Sequence, residues 1–317
     1  MTNEQPSPFA FRNNSQLCFD GYWSGNEWRH SPWCRLIEIT NNSLAQKCLD
    51  GKHLVIAGNS VSRHLFFGIL NFLNGVGENI SDAYRLEEKS MFDQCDITNS
   101  SGWTKDKCPE DVSAYYPQED KYKCMYNINH ETFNCTKTWK MNHYEGKITF
   151  VWLVDWLPNP VLRALQEPDT VVTLNAGLNL EWAYFNKWYR TDPMHVLQYQ
   201  FPKLWSFPIP NSTRLLYRQS TATCPNPSNG ISKRIELHTK WILDYVLQNP
   251  ATGKYLIELD KPTAKRRHYL DCNHHPGVQT VLHIKMLINQ LASSDFSPTC
   301  RRAFTVVSKI WRDKMTK

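Results

Sequence analysis

Short apolar runs alternate with segments of helical periodicity along most of this chain, and this alternation restricts its fold more than any other feature. Five runs have the length and composition of buried strands: 53–58, 147–154, 169–175, 213–219 and 254–259. Apolar residues recur at helical spacing in 61–73, 158–166, parts of 180–200, 231–248 and 276–292. We therefore expect a three-layer α/β/α sandwich around a central parallel five-stranded sheet.

Two parts of the chain lack this alternation. Residues 1–50 are rich in Asn, Trp and Cys, and 75–145 hold four cysteines, few apolar runs and several turn signals. We predict an irregular, disulfide-tied segment at 1–50 that packs on a single α/β domain at 51–317. That domain carries a long insertion at about 75–145.

The composition excludes several classes of protein. Hydrophobic residues make up 41% of the chain and charged residues 21%, which is enough apolar material for a core and argues against a disordered chain. The formal net charge is +6, but the basic residues form no stripe and no known nucleic-acid module is present. Nucleic acid is therefore not an expected partner.

The cysteines indicate the compartment. Ten of them are scattered along the chain without metal-binding spacing, which favours disulfides and an oxidising environment over a metal site. Cys224 and Cys272 lie on loops at the same predicted sheet edge and are a candidate pair. Asn-x-Ser/Thr glycosylation signals occur at Asn13, Asn41, Asn79, Asn99, Asn134 and Asn211.

We expect a location in the secretory pathway, in the Golgi lumen or outside the cell. The first fifteen residues have no apolar core of a signal peptide, and no run approaches the length of a membrane span. The expectation therefore includes a leader or anchor that is missing from this sequence.

Polar residues follow the first predicted strand, where parallel α/β folds place their sites. Gly58 permits a tight turn there, and Ser60 then stands at the start of a helix. The helix dipole and free N–H groups favour developing negative charge at that position, which suits a nucleophile. The alternative is that Ser60 merely caps the helix, and its position alone does not decide between the two.

Two more strand ends carry candidate residues. After the third strand, Gly177-Leu178-Asn179 can aim a side-chain amide at the same oxyanion, or can be an ordinary polar turn. After the last strand, Asp271 precedes His274 by three residues, a spacing that lets the carboxylate orient the imidazole as a base for a serine. The alternative there is a capping Asp with surface histidines, His274 and His275. Together the three strand ends predict a Ser-His-Asp acyl-transfer site.

The order Ser, Asn, Asp-x-x-His resembles that of the SGNH/GDSL hydrolase superfamily, and several blocks resemble its PC-esterase and trichome-birefringence-like branch. GKHLVIAGNSVSRHLFF is similar to the Gly-Asp-Ser block of that branch, including the following arginine, Arg63. CFDGYW, SPWCRL and DCNHHPG are similar to its Cys-x-Phe-x-Gly-x-Trp, Pro-x-x-Cys-x-Leu and Asp-Cys-x-His blocks. The resemblance covers 18–75 and 147–292.

Two positions depart from the family pattern, and the position of one family glycine is left open. Asn59 replaces the Asp of the family block and leaves the serine intact. Gly177-Leu178-Asn179 replaces a Gly-x-Trp and is more like the wider superfamily, which leaves the acceptor open. Gly102 and Gly146 are both candidates for the second-block glycine of the superfamily.

The resemblance implies an O-acyltransferase, in particular an O-acetyltransferase, that acts on glycan hydroxyls through an acyl-serine. Ser60 is then the nucleophile, His274 the base and Asp271 its orienting carboxylate. Ser60, Gly177 and Asn179 form the oxyanion hole. Trp182, Tyr184 and Arg63 are candidate substrate-binding residues, although Arg63 can equally pair with an acid on its helix.

The expected partners are an acyl donor and a glycan acceptor. We expect a monomer, and the mechanism requires no metal or organic cofactor. Two alternatives remain: a carbohydrate esterase of the same fold, with water as acceptor, and an inactive glycan-binding protein. A pure binder need not retain Ser60, Asp271 and His274, so their presence counts against the last.

Overall fold

The computed structural model describes 21–24, 27–30, 42–73, 134–141, 143–152, 159–185, 191–220, 230–257, 277–293 and 300. The strands are β1 (Gly21–Ser24), β2 (Glu27–His30), β3 (His53–Gly58), β4 (Asn134–Met141), β5 (Tyr144–Trp152), β6 (Thr170–Leu174), β7 (Arg214–Arg218) and β8 (Lys254–Ile257). The helices are α1 (Ser43–Leu49), α2 (Ser60–Asn71), α3 (Asn159–Gln166), α4 (Leu178–Phe185), α5 (Pro193–Ser206), α6 (Ile231–Gln248) and α7 (Gly277–Ser293).

The central sheet has six strands in the order β4-β5-β3-β6-β7-β8. Five of them run parallel, which confirms the predicted parallel five-stranded sheet and the α/β fold. The sixth, β4, pairs antiparallel with β5 and was not predicted. It lies inside the predicted insertion at about 75–145, which therefore contributes an edge strand to the sheet.

Helices cover both faces of the sheet because successive residues of a strand point to opposite faces. On β3, Leu54 and Ile56 pack into an apolar core with α1, α2 and α7. Val55 and Ala57 pack into a second core with α3, α5 and α6. All four side chains are buried, so the strands read as continuous apolar runs, as expected of a sheet covered on both sides.

The segment 1–50 is not irregular throughout, contrary to the prediction. It contains the antiparallel pair β1–β2 and the helix α1. Only two residues, Gly25 and Asn26, separate the two strands, a composition typical of a hairpin loop. The strands are four residues each, too short for a clear alternation to show in the sequence.

The predicted helical stretch at 180–200 consists of two helices, α4 and α5. Asp192 separates them and caps α5 by accepting a hydrogen bond from the Met194 N–H (2.9 Å), and Pro193 occupies the first helical turn. None of the helices within the described ranges is long and apolar enough to cross a membrane.

One disulfide joins described cysteines, between Cys48 in α1 and Cys300. The side chains of the other eight cysteines lie outside the described part of the structure, and with them the predicted Cys224–Cys272 pair.

Candidate functional site

The strand order creates a crevice at one edge of the sheet. β3 is the first parallel strand in the chain, and the next two, β5 and β6, lie on either side of it. In chain order the parallel strands are therefore arranged 2-1-3-4-5, the flavodoxin-like order, in which the connections diverge next to the first strand. Ligands of open α/β sheets bind at the carboxyl ends of the strands at such a point. The carboxyl end of β3 leads directly to Ser60.

The turn from β3 into α2 requires a glycine. Gly58 has a φ of +151°, and a Cβ atom there would lie 2.1 Å from the Ser62 Oγ and 2.5 Å from the Asn175 carbonyl oxygen. Any side chain at position 58 would therefore push α2 away from β3 and from the end of β6. Glycine brings the first turn of α2 and the end of β6 into direct contact.

The cap of α2 is Asn59, not Ser60. Its side-chain Oδ1 accepts a hydrogen bond from the Val61 N–H (3.0 Å), and its carbonyl accepts from the Arg63 N–H (3.0 Å). Asn59 is buried and has a capping role that an amide performs as well as a carboxylate. The interpretation of Ser60 as the cap is wrong. Ser60 is the first residue of α2, and its side chain lies outside the described part.

The end of β6 lies beside this turn. The Asn175 N–H donates to the Ala57 carbonyl (2.9 Å), and the Asn175 Nδ2 donates to the carbonyls of Arg218 (3.0 Å) and Gln219 (2.8 Å). Asn175 thereby joins the carboxyl ends of β3, β6 and β7. Gly177 follows with a φ of +102° and turns the chain into α4, whose first turn carries Asn179.

Arg218 lies fully buried behind the turn. Its Nη2 donates to the Ser62 Oγ (2.7 Å), its Nε donates to the Thr173 Oγ1 (2.7 Å), and Ser62 in turn donates to the Ala57 carbonyl (3.4 Å). Its third nitrogen, Nη1, is buried without a hydrogen-bond partner among the described residues. Burial lowers the pKa of the guanidinium to about 9, an effect that Tyr217 partly opposes. We call Arg218, Ser62 and Thr173 the arginine network.

A second group of buried charges anchors α4. The fully buried Glu181 carboxylate accepts a hydrogen bond from the Arg234 Nε (2.5 Å), and its other oxygen lies 2.7 Å from the His238 Nε2. The Arg234 Nη2 also donates to Asp192. Burial alone would lower the pKa of Arg234, but its hydrogen bonds and charge interactions with Glu181 and Asp192 raise it. We call these four residues the paired cluster.

The structure places the remaining candidates as follows. Tyr184 is half-buried on α4, where the Arg234 guanidinium lies 4.9 Å from its ring centre, and Arg63 is half-buried in the first turn of α2. The side chains of Asn179 and Trp182 on α4 lie outside the described part. Asp271, His274 and Gly102 are not among the described residues at all.

Gly146 is not the second-block glycine. It lies near the beginning of β5, opposite Trp139, whereas the end of β5 at Trp152 is the part aligned with Gly58. Gly146 is therefore at the amino edge of the sheet, a full strand length from Ser60.

A cavity of about 590 Å³ opens at that amino edge, away from the candidate site. Its polar lining is mainly paired: Lys52 with Asp169 and Lys140 with Glu145 form ion pairs, and His53 Nδ1 lies 3.3 Å from a Glu167 carboxylate oxygen. Within the ranges described, no group of three or more His, Cys, Asp or Glu side chains is arranged to hold a metal ion.

Sequence reasoning missed both buried charge groups. Arg218 is the last residue of β7 and Glu181 lies in the first turn of α4, positions where a charged residue is normally exposed. The available signal was position alone: Arg218 lies one residue before the end of the predicted strand 213–219, and Glu181 lies six residues after the predicted strand 169–175. Comparisons of the chain with protein family models, with curated proteins and with solved structures found no match.

Proposed function

We propose that this chain is a serine-dependent O-acyltransferase that transfers an acyl group, in the simplest case acetyl, to a carbohydrate hydroxyl. The observation that carries the proposal is the position of Ser60. It is the first residue of α2, at the carboxyl end of β3, where the strand order makes a crevice. Asn59 takes the capping role, which leaves Ser60 for chemistry.

The assignment to a particular α/β fold family is also part of the proposal. We infer an SGNH-type sandwich of the PC-esterase and trichome-birefringence-like branch, on the strength of the sequence blocks around Ser60 and His274. The parallel strand order and the helices on both faces are compatible with that fold. A secretory location is supported by the Cys48–Cys300 disulfide and by Asn211, an exposed acceptor in a glycosylation signal.

The mechanism follows from the residue roles. Ser60 attacks the acyl carbonyl of the donor while His274 takes the serine proton and then returns it to the leaving group of the donor, which departs. The acyl-Ser60 ester then reacts with a glycan hydroxyl, whose proton passes to His274, and the free serine is restored. Asp271 orients the imidazole and stabilises its cation.

The oxyanion of both tetrahedral intermediates needs donors at the start of α2. We assign them to the N–H groups of Ser60 and Gly177 and to the Asn179 side chain. Two facts support this set: Gly177 begins the turn that directly adjoins the Gly58 turn, and the dipole of α2 favours negative charge at its first residue.

The location of α7 supports the roles of Asp271 and His274. These residues fall between β8 and α7, and α7 packs against α2 in the same apolar core. Both helices follow a parallel strand in chain order, α2 after β3 and α7 after β8. We infer that the loop before α7 brings the base to Ser60.

Transfer in place of hydrolysis requires a bound acceptor, because water is far more concentrated than any glycan. Good positioning gives effective molarities of about 10⁵ M or more, which is enough to exceed bulk water. The aromatic residues of α4, Trp182 and Tyr184, immediately follow the Gly177 turn and are candidates to stack on a sugar ring.

The test begins with the intermediate. Mixing the protein with an activated acetyl donor should add one acetyl group to Ser60, detectable by mass spectrometry. A serine-directed fluorophosphonate probe should label the same residue. Ser60→Ala should abolish both reactions and lower turnover by several orders of magnitude while the fold is kept. Near-normal turnover of Ser60→Ala would refute the proposal.

Two comparisons then define the mechanism. His274→Ala should be inactive and His275→Ala active, because only His274 has the three-residue spacing from Asp271; the opposite result would reject His274 as the base. With a panel of glycans present, acetyl-glycan should exceed free acetate. If free acetate dominates with every acceptor, the esterase hypothesis replaces the transferase hypothesis. If Ser60 is never labelled by the acetyl donor or the fluorophosphonate probe, the glycan-binding hypothesis replaces both.

A further inference from the structure

Burial of the Arg218 guanidinium at the candidate edge of the sheet carries a large desolvation free energy. Its side chain is completely buried, and among the described residues no carboxylate pairs with it. Its hydrogen-bond partners are two neutral hydroxyls, and one guanidinium nitrogen has none in the described part. Removing an ion from water without a counterion is expensive, so the presence of an arginine here calls for a reason beyond stability.

The contacts of Arg218 indicate that reason. Ser62, which accepts from its Nη2, lies in the first turn of α2, two residues after Ser60. Thr173, which accepts from its Nε, lies in β6, two residues before the Asn175 that adjoins the Gly58 turn. One planar guanidinium thus fixes both sides of the crevice. Arginine can do this because its N–H donors are held in one rigid plane, whereas lysine has a single flexible ammonium group.

The positive charge of Arg218 also acts on the start of α2. It adds to the positive end of the α2 dipole, in an interior where a charge interacts more strongly than in water. A fixed positive charge at this point lowers the energy of negative charge that develops at the start of α2, and no reorganisation of solvent is needed during the reaction.

We propose that Arg218 is a positioning residue for the acyl-transfer site, which fixes the Ser60 turn through Ser62 and supplies a buried positive charge behind the oxyanion. This inference rests on the function proposed above. It assigns Arg218 no contact with the substrate, since the guanidinium is enclosed by β3, β6 and α2.

The experiment compares Arg218→Met with Arg214→Met. Arg214 is a matched control: it is also a largely buried arginine of β7, but it lies at the amino edge, where its Nη1 donates to the carbonyls of Asn211 (2.6 Å) and Thr213 (2.8 Å). Both variants should lower the melting temperature. Only Arg218→Met should lower kcat, by about 10- to 100-fold with KM within about threefold, and Arg218→Lys should recover part of the loss.

The pH profile separates charge from packing. A nearby cation disfavours protonation of the catalytic base, so its removal raises the pKa of that base. The acid limb of kcat/KM should therefore move to higher pH in Arg218→Met and stay in place in Arg214→Met. Equal losses of kcat in the two variants, or an unchanged kcat and profile in Arg218→Met, would overturn the proposal.

Hydrogen exchange tests the positioning without any activity. Amides of 61–64 should exchange faster in Arg218→Met than in Arg214→Met, and Ser62→Ala should reproduce part of that effect if Arg218→Met does not fold. Wild-type protein that never labels at Ser60 refutes the proposed function. In that case faster exchange at 61–64 still supports the positioning role, and equal exchange overturns it.

Discussion

The paired cluster and the arginine network balance their buried charges in opposite ways. In the paired cluster, two carboxylates, Glu181 and Asp192, face the Arg234 guanidinium, and His238 lies against Glu181. In the arginine network, Arg218 contacts only the hydroxyls of Ser62 and Thr173 within the described residues. The first group holds α4 to α5 and α6 through contacts between opposite charges. The second leaves a positive charge beside the crevice.

The difference shows which buried charges are structural. A cluster of paired charges that joins three helices is explained by stability and helix placement. A buried cation at a strand end that has no carboxylate partner among the described residues is instead a candidate functional group. Charge pairing therefore distinguishes the scaffold from the candidate site better than burial does, because Glu181 and Arg218 are both fully buried.

The largest effect should come from breaking the arginine network at its tightest point. Gly58→Ala places a Cβ 2.1 Å from the Ser62 Oγ, which displaces Ser62 from Arg218, and adds strain at a φ of +151°. We expect a loss of about 4 kcal/mol in the free energy of unfolding, measured with urea. Gly51→Ala is the control: its φ is +68° and no atom lies within 4 Å of the added carbon, so only about 1 kcal/mol should be lost. Equal losses would show that Gly58 is not a packing constraint.

Removing the central anion of the paired cluster should have the next largest effect. Glu181→Gln leaves Arg234 and His238 facing a neutral amide, and breaking a buried ion pair typically costs about 3 kcal/mol. The control is Glu145→Gln, whose exposed pair with Lys140 should be worth less than about 0.5 kcal/mol. A loss for Glu181→Gln as small as that of the control would mean that the cluster does not hold α4.

The smallest effect concerns the edge of the paired cluster and depends on pH. Burial alone would raise the pKa of Asp192, but the Met194 N–H, Arg234 and His195 outweigh it and hold the pKa below its usual 3.8. Ionised Asp192 therefore stabilises the fold above that value, and the contribution is lost as pH falls through the lowered pKa. Asp192→Asn should cost about 1 kcal/mol at pH 7.

The measurement is urea unfolding of both proteins from pH 7 down to pH 3. The gap between the two stability curves should narrow as pH falls below the usual 3.8, because the ionised carboxyl of Asp192 then contributes less to stability. The control, Glu236→Gln on the exposed face of α6, should give a curve parallel to that of the wild type. A constant gap between Asp192→Asn and wild type across this range would contradict the lowered pKa.

The parallel strands and most helices were predictable because their signals are local. The buried runs of β3, β6 and β7 match the predicted segments to within one residue at each end, and α6 matches fully. β4 was missed because NCTKTWKM carries polar residues and a cysteine in a region without apolar runs, and only its pairing with β5 makes it a strand.

The candidate site was predictable only in part. The sequence placed Ser60 and Gly177 after two different strands. In the structure the ends of those strands, β3 and β6, lie side by side, with Gly58 next to Asn175. The sequence contains no sign that Arg218 lies behind them, because TRLLYRQ reads as a strand with charged ends. Arg214 and Arg218 are both largely buried through helix packing and strand order, which depend on residues far apart in the chain.

The central position of β3 has a consequence for how the protein is made. β3 is the first strand of the main sheet to leave the ribosome, yet its partners come much later: His53 pairs with Lys147, 94 residues on, and with Thr170, 117 residues on. Closing such long loops is entropically costly and slow. β7 and then β8 add outward from this centre, and the loop that carries Asp271 and His274 follows β8. In the proposed enzyme, the nascent chain therefore holds its nucleophile turn long before it has a base, and catalytic competence arrives with the last strand.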